Sequence, residues 1–146
     1  MDYAINPVLM GGLVKEITGD MVKVHLHGRL GVITVPKSLI KDDIEIEIGH
    51  EVQFYFSYLC VNENPYDYDS AAIDRNLELS PSLLGATIIE VNDTAVKVEI
   101  MDGLGTVAVP RRWVFTPVVL ETGLNVEFYF SCMQIIGKRD IPKEFI

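Results

Sequence analysis

Cysteine is scarce. Cys60 and Cys132 are the only two in 146 residues, so no disulfide framework or cysteine-rich metal staple is expected. Both share parity with the inward-looking phenylalanines of their strands, which predicts buried, reduced thiols acting as small hydrophobes. Long apolar runs are lacking as well: none approaches the ~18 residues of a membrane-spanning helix. The opening residues Met1-Asp2-Tyr3-Ala4-Ile5-Asn6-Pro7 carry neither a basic nor an apolar stretch. A secretory signal is therefore not expected, and a cytoplasmic location is. Cations are few, with 12 Lys and Arg against 21 Asp and Glu for a formal net charge of −9. The deficit is uneven: residues 1–74 carry −7 and residues 75–146 carry −2. Such a chain repels a phosphate backbone at long range, which counts against a general nucleic-acid binder. There is no Gly-rich phosphate loop, no Cys-x-x-Cys pair and no serine with a histidine at recurrent spacing. The expectation is a non-enzyme with no catalytic residue and no cofactor.

What the chain does have is one stretch written twice. Shifted by 74 residues, Gly11–Val61 falls on Gly85–Ile135 without a gap, and about 16 of about 51 paired positions are identical. Val22-Lys23-Val24 falls on Val96-Lys97-Val98, and Leu30-Gly31 on Leu104-Gly105. Val35-Pro36 matches Val109-Pro110, and Phe54-Tyr55-Phe56-Ser57 matches Phe128-Tyr129-Phe130-Ser131. The reading is an all-β protein of two tandem small β-barrels from an internal duplication. Residues 1–68 form the first unit, 69–74 an acidic connector, and 75–146 the second. Units of this size sit near the lower limit for a self-sufficient core, so the two are expected to pack on each other.

Within each unit the apolar period is two, the mark of strands. The first strand, Leu13–Ile17 or Thr87–Val91, has anchors Val14 and Ile17 three apart, which predicts a bulge near Lys15-Glu16. Strand two points Val22, Val24 and Leu26 to one face, with Lys23, His25 and His27 on the other. Strand three, Gly31–Val35, ends at a proline in both copies (Pro36, Pro110). Lys37–Ile40 is short enough for one helical turn, and Ile44–Ile48 alternates like an edge strand guarded by glutamates. The strongest strand sends Val52, Phe54, Phe56 and Tyr58 inward and Gln53, Tyr55, Ser57 and Leu59 outward. Its second copy sends Val126, Phe128, Phe130 and Cys132 inward, against Glu127, Tyr129, Ser131 and Met133. Asn62–Asp74 is a polar connector in which Ser70–Ile73 could add a helical turn. Arg75–Ser80 reads as a strand of either unit, and Ile136–Arg139 as a turn leading to the tail Glu144-Phe145-Ile146.

The order of these marks resembles the S1-type OB barrel. It is carried by Gly11–Ile17, Val22–Leu26, Gly31–Pro36 and Gly49–Phe56, and again 74 residues on. SH3-like barrels share most of it, so both topologies stay open. The arrangement is also similar to an uncharacterised bacterial domain family with one or two copies per chain, which implies no function. The S1 resemblance implies single-stranded RNA binding through aromatic and basic residues on strands two and three. This chain departs from that pattern: strand three offers Thr34 and Ala108, and strand two offers His25 in one copy but Glu99 in the other.

Three groups are candidate sites. Tyr55 and Tyr129 are outward in both copies and suit a half-buried interface, between the units or with a second chain. Arg111-Arg112-Trp113 could hold an anion, a base or a partner chain; alternatively Trp113 replaces core residue Leu39 and caps the barrel while both arginines stay wet. His25 and His27 could chelate a metal, with His50 as a third ligand, or could belong to a solvated strand face. Copy two has Glu99, Met101 and Leu124 there, so no metal site is expected. The reading is a non-catalytic interaction module that binds a protein partner or forms a homo-oligomer, with oligonucleotide binding as the alternative and no membrane partner.

Overall fold

The computed structural model describes residues 6–63, 68 and 80–139. The first half holds β1 (Val8–Thr18), β2 (Met21–Leu26), β3 (Val32–Pro36), β4 (His50–Phe56) and β5 (Leu59–Val61). The second holds β6 (Ser82–Val91), β7 (Ala95–Ile100), β8 (Thr106–Pro110), β9 (Val114–Phe115), β10 (Asn125–Phe130) and β11 (Gln134–Lys138). The helical content of the described residues is short 3-10 turns, two of them at Lys37–Leu39 and Arg111–Trp113 directly after the prolines. None of the described residues form a helix long and apolar enough to cross a membrane.

The all-β expectation holds, and the strands join one sheet. Eight of them close a ring in the order β4-β1-β2-β3-β8-β7-β6-β10, with β10 returning to β4. Two seams join the halves. At the first, β3 meets β8 antiparallel with Ile33 opposite Val107, its own counterpart 74 residues on. At the second, β4 meets β10 through Phe56 opposite Phe130, again a residue and its counterpart. Beyond that single pair the ladder gives way to serine hydroxyls. The Tyr55 N–H donates to Ser131 Oγ and the Tyr129 N–H to Ser57 Oγ, both at 2.8 Å.

The short last strand of each half crosses over. β5 leaves the first half and pairs with β10 (Val126 with Val61, Glu127 with Cys60). β11 leaves the second half and pairs with β4 (Val52 with Ile135, Gln53 with Gln134). A parallel pairing follows each: Leu59 with Val114 at one corner, Ile40 with Met133 at the other. Each half therefore completes the other's Phe-x-Phe strand, β4 or β10, satisfying backbone groups that would otherwise form an open edge.

Inside the ring, alternate residues of both halves fill one hydrophobic cluster. Val22, Val24, Val96 and Val98 are fully buried, as the period-two pattern requires. Phe54, Phe56, Phe128 and Phe130 are buried at the second seam. Phe54 meets Phe130 and Phe56 meets Phe128 edge to face, both at 5.8 Å between centroids. Such pairs add about 0.5–1.5 kcal/mol each beyond area burial. The bulges fall at Lys15, between Val14 and Glu16, and at Ile89, between Ile88 and Glu90.

Several local expectations change. The halves do not fold separate sheets: β3 pairs with β8, β4 with β10, and the last strand of each half crosses to the other. Inward parity ends at Phe56, where β4 stops and Ser57-Tyr58 carries the chain across. Tyr58 is consequently 36% exposed, whereas Leu59, Met133, Ser57 and Ser131 are buried rather than outward. Ile44–Ile48 is no strand, since local acceptors capture its amides: Ile44 N–H donates to Asp42 Oδ1 and Glu47 N–H to His50 Nδ1. Ile136–Lys138 continues β11 and is not a turn. The first strand runs longer than Leu13–Ile17, from Val8 to Thr18. Both cysteines are buried thiols outside any disulfide, as expected. The connector 69–74, the turn at Ser70–Ile73, Arg75–Leu79 and the tail lie outside the described residues.

Candidate functional site

Tyr55 and Tyr129 come together on the outer face of the second seam. Antiparallel pairing of Phe56 with Phe130 sets Tyr55 beside Ser131 and Tyr129 beside Ser57. Both tyrosines are half-buried. Leu9 pairs with Tyr55 and Leu83 with Tyr129 on the same face, and Leu9 is 52% exposed. An apolar patch thus straddles the seam across β1, β4, β10 and β6.

Arg111-Arg112-Trp113 lies at a corner instead. Trp113 packs against the core, and its Nε1–H donates to the Ser57 carbonyl at 3.0 Å. Tyr58 stacks between Trp113, at 3.9 Å, and Phe115, at 4.7 Å. The indole is a clasp between the halves. Both arginines are exposed, and Arg111 Nη1 donates to the Asn92 carbonyl at 2.8 Å. The counterpart corner carries fully buried Leu39, with Lys41 and Cys132 in place of Phe115 and Tyr58. Burial pushes the Cys132 thiol up, with the Lys41 ammonium pulling the other way.

His25 and His27 line a groove of about 530 Å³ on the outer face of β2, with Lys15 and Arg139. His50 is not with them. It is buried, and its Nδ1 accepts the Glu47 N–H at 2.8 Å. Among the described residues no group of three His, Cys, Asp or Glu side chains could hold a metal ion. Partial burial, then the ammonium groups of Lys23 and Lys15, hold the His25 imidazole below its ordinary value.

The corresponding face of the second half is filled. A cavity of about 230 Å³ there is lined by Tyr68, Thr87, Glu99, Met101 and Asn125. The Tyr68 ring lies on Gly85, where an added Cβ would come within 2.5 Å of it. Its hydroxyl donates to Glu127 Oε2 at 2.9 Å.

Sequence reading did not find the Tyr58–Phe115 stack, the serine clasps, or the union of Lys15 and Arg139 with the histidines. The recurrence of Ser57 at Ser131 was the available signal for the clasps. No family model matches this chain, and no curated protein matches it.

Proposed function

We propose that the chain is an internal duplication of one small β-barrel unit, OB/S1-like or SH3-like, acting as a non-catalytic protein-binding module in the cytoplasm. Its contact face is the patch of Leu9, Tyr55, Leu83 and Tyr129, and its partner is a second copy of the chain. The observation that carries the reading is the position of that patch, centred on the seam where Phe56 faces its own counterpart. A face with approximate two-fold symmetry presents the same features in either orientation, which suits the isologous contact of a two-fold dimer. Tyrosine rings supply large contact area at low entropic cost. Ser57 and Ser131 are unsuited to nucleophilic work, since both are buried and each hydroxyl donates to a neighbouring carbonyl.

The test is the mass of the full chain across a concentration series by light scattering. A dimer that the double variant Tyr55→Ala/Tyr129→Ala weakens by about thirtyfold or more, the loss of one interface hot spot, is the expected result. A parent that stays monomeric, or a variant with unchanged assembly and stability, removes the hypothesis. A second reading, oligonucleotide binding, draws on the exposed Arg111 and Arg112 beside the aromatic corner. It requires a salt-sensitive RNA complex weakened by Arg111→Ala and Arg112→Ala.

A further inference from the structure

The two halves build the same outer face with opposite chemistry. In the first half the groove is bordered by Lys15, His25, His27 and Arg139, with no carboxylate among its described lining residues, in a chain of net charge −9. Leu13 forms its floor, only 7% exposed although it pairs opposite outward-facing His25. Val32 adds a second apolar surface. In the second half the counterparts of Leu13, Lys15, His25 and His27 are Thr87, Ile89, Glu99 and Met101. That half forms the same bulged strand pair without a cation or an imidazole at any of these positions. The fold therefore does not require the cationic cluster.

We propose that this groove binds a small organic anion, with a carboxylate or phosphate head on an apolar body. The head meets the Lys15 ammonium and the His25 imidazole; the body lies on Leu13 and Val32. Arg139 borders the groove, and its charge is balanced by Glu51 Oε1 at 2.6 Å. The surrounding charge selects the ligand's sign. Burial first, then Lys23 and Lys15, disfavour a proton on His25, and the field of these two ammonium groups repels a metal dication and attracts an anion. The proposal is independent of self-association, since none of Leu9, Tyr55, Leu83 and Tyr129 is among the groove's described lining residues.

The experiment is an NMR titration of the full chain with benzoate, phenyl phosphate and, as the uncharged control, benzamide. His25→Gln and His27→Gln assign the imidazole signals. Saturable shifts of the His25 ring and a Leu13 methyl with at least one anion, and none with benzamide, are expected; the two anions distinguish a carboxylate head from a phosphate. Lys15→Met and His25→Gln should each weaken binding by about tenfold, while Ile89→Met in the counterpart position leaves it unchanged. Absence of saturable shifts with both anions, equal response to benzamide, or parent-like affinity in Lys15→Met and His25→Gln overturns the proposal.

Discussion

Replacing Ser57 or Ser131 by alanine tests how the ring closes. Both side chains are fully buried. Ser57 Oγ accepts the Tyr129 N–H at 2.8 Å and donates to the Tyr58 carbonyl at 2.9 Å. Ser131 Oγ does the same for the Tyr55 N–H and the Cys132 carbonyl, both at 2.8 Å. Each alanine deletes two hydrogen bonds worth about 0.5–1.5 kcal/mol net, and leaves a seam amide without its partner. The expected loss is about 2 kcal/mol per variant. Ser131→Ala should cost the more, because its bond to the Cys132 carbonyl is buried while that of Ser57 to the Tyr58 carbonyl is only partly buried. The two sites flank one backbone pair, so the double variant should lose less than the sum of the singles. Urea unfolding followed by Trp113 fluorescence and far-ultraviolet circular dichroism reads the effect. With a slope of about 2 kcal/mol/M, each single variant lowers the midpoint by about 1 M. Shifts below about 0.2 M in both variants, or separate transitions for the two halves, would refute the clasp.

Three further outcomes follow from the same geometry. Gly31→Ala and Gly105→Ala should each destabilise by about 3 kcal/mol or more; both residues have positive φ, and an added Cβ would fall 1.9 Å from the Ala108 oxygen or 1.8 Å from the Thr34 oxygen across the first seam. Near-parental thermal midpoints in either would contradict that seam. Trp113→Phe should cost about 1 kcal/mol through the lost Nε1–H bond to Ser57, and Trp113→Ala about 3–5 kcal/mol; equal costs in denaturant melts would mean that the ring stack contributes nothing. His25 is held below its ordinary 6.5 by burial and by Lys23 and Lys15, so the unfolded chain takes up that proton first as pH falls. Its contribution is present above pH 6.5 and is lost below, and urea midpoints measured on either side should converge in His25→Gln; an unchanged pH slope in that variant rejects the assignment.

Patterns local to a strand were legible. The alternation of Val22, Val24 and Leu26 named the buried face of β2, and the three-residue spacing of Val14 and Ile17 located the bulge at Lys15. The choice of partner was not legible, because period-two alternation states which face is buried but not which strand lies alongside. Nothing in Leu59-Cys60-Val61 distinguishes pairing with β4 from pairing with β10. The parity error from Ser57 onward has the same origin, since extrapolating β4 assumes that the chain runs straight where it crosses to the other half. Ile44–Ile48 alternated convincingly, yet Asp42 and His50 hold its amides locally. Of the candidate residues, Tyr55 and Tyr129 were marked by their recurrence, and both are half-buried. The groove at His25 was half-seen, because Lys15 and Arg139 reach it from β1 and from beyond β11.

The exchange of the last strands, β5 and β11, is the feature that ties the halves together, and cross-strand nuclear Overhauser contacts in the full chain read it directly. Backbone contacts from Cys60 to Glu127 and from Gln134 to Gln53 are the predicted result. Contacts from Cys60 to strand β4 of its own half, with Gln134 likewise against β10, would contradict it.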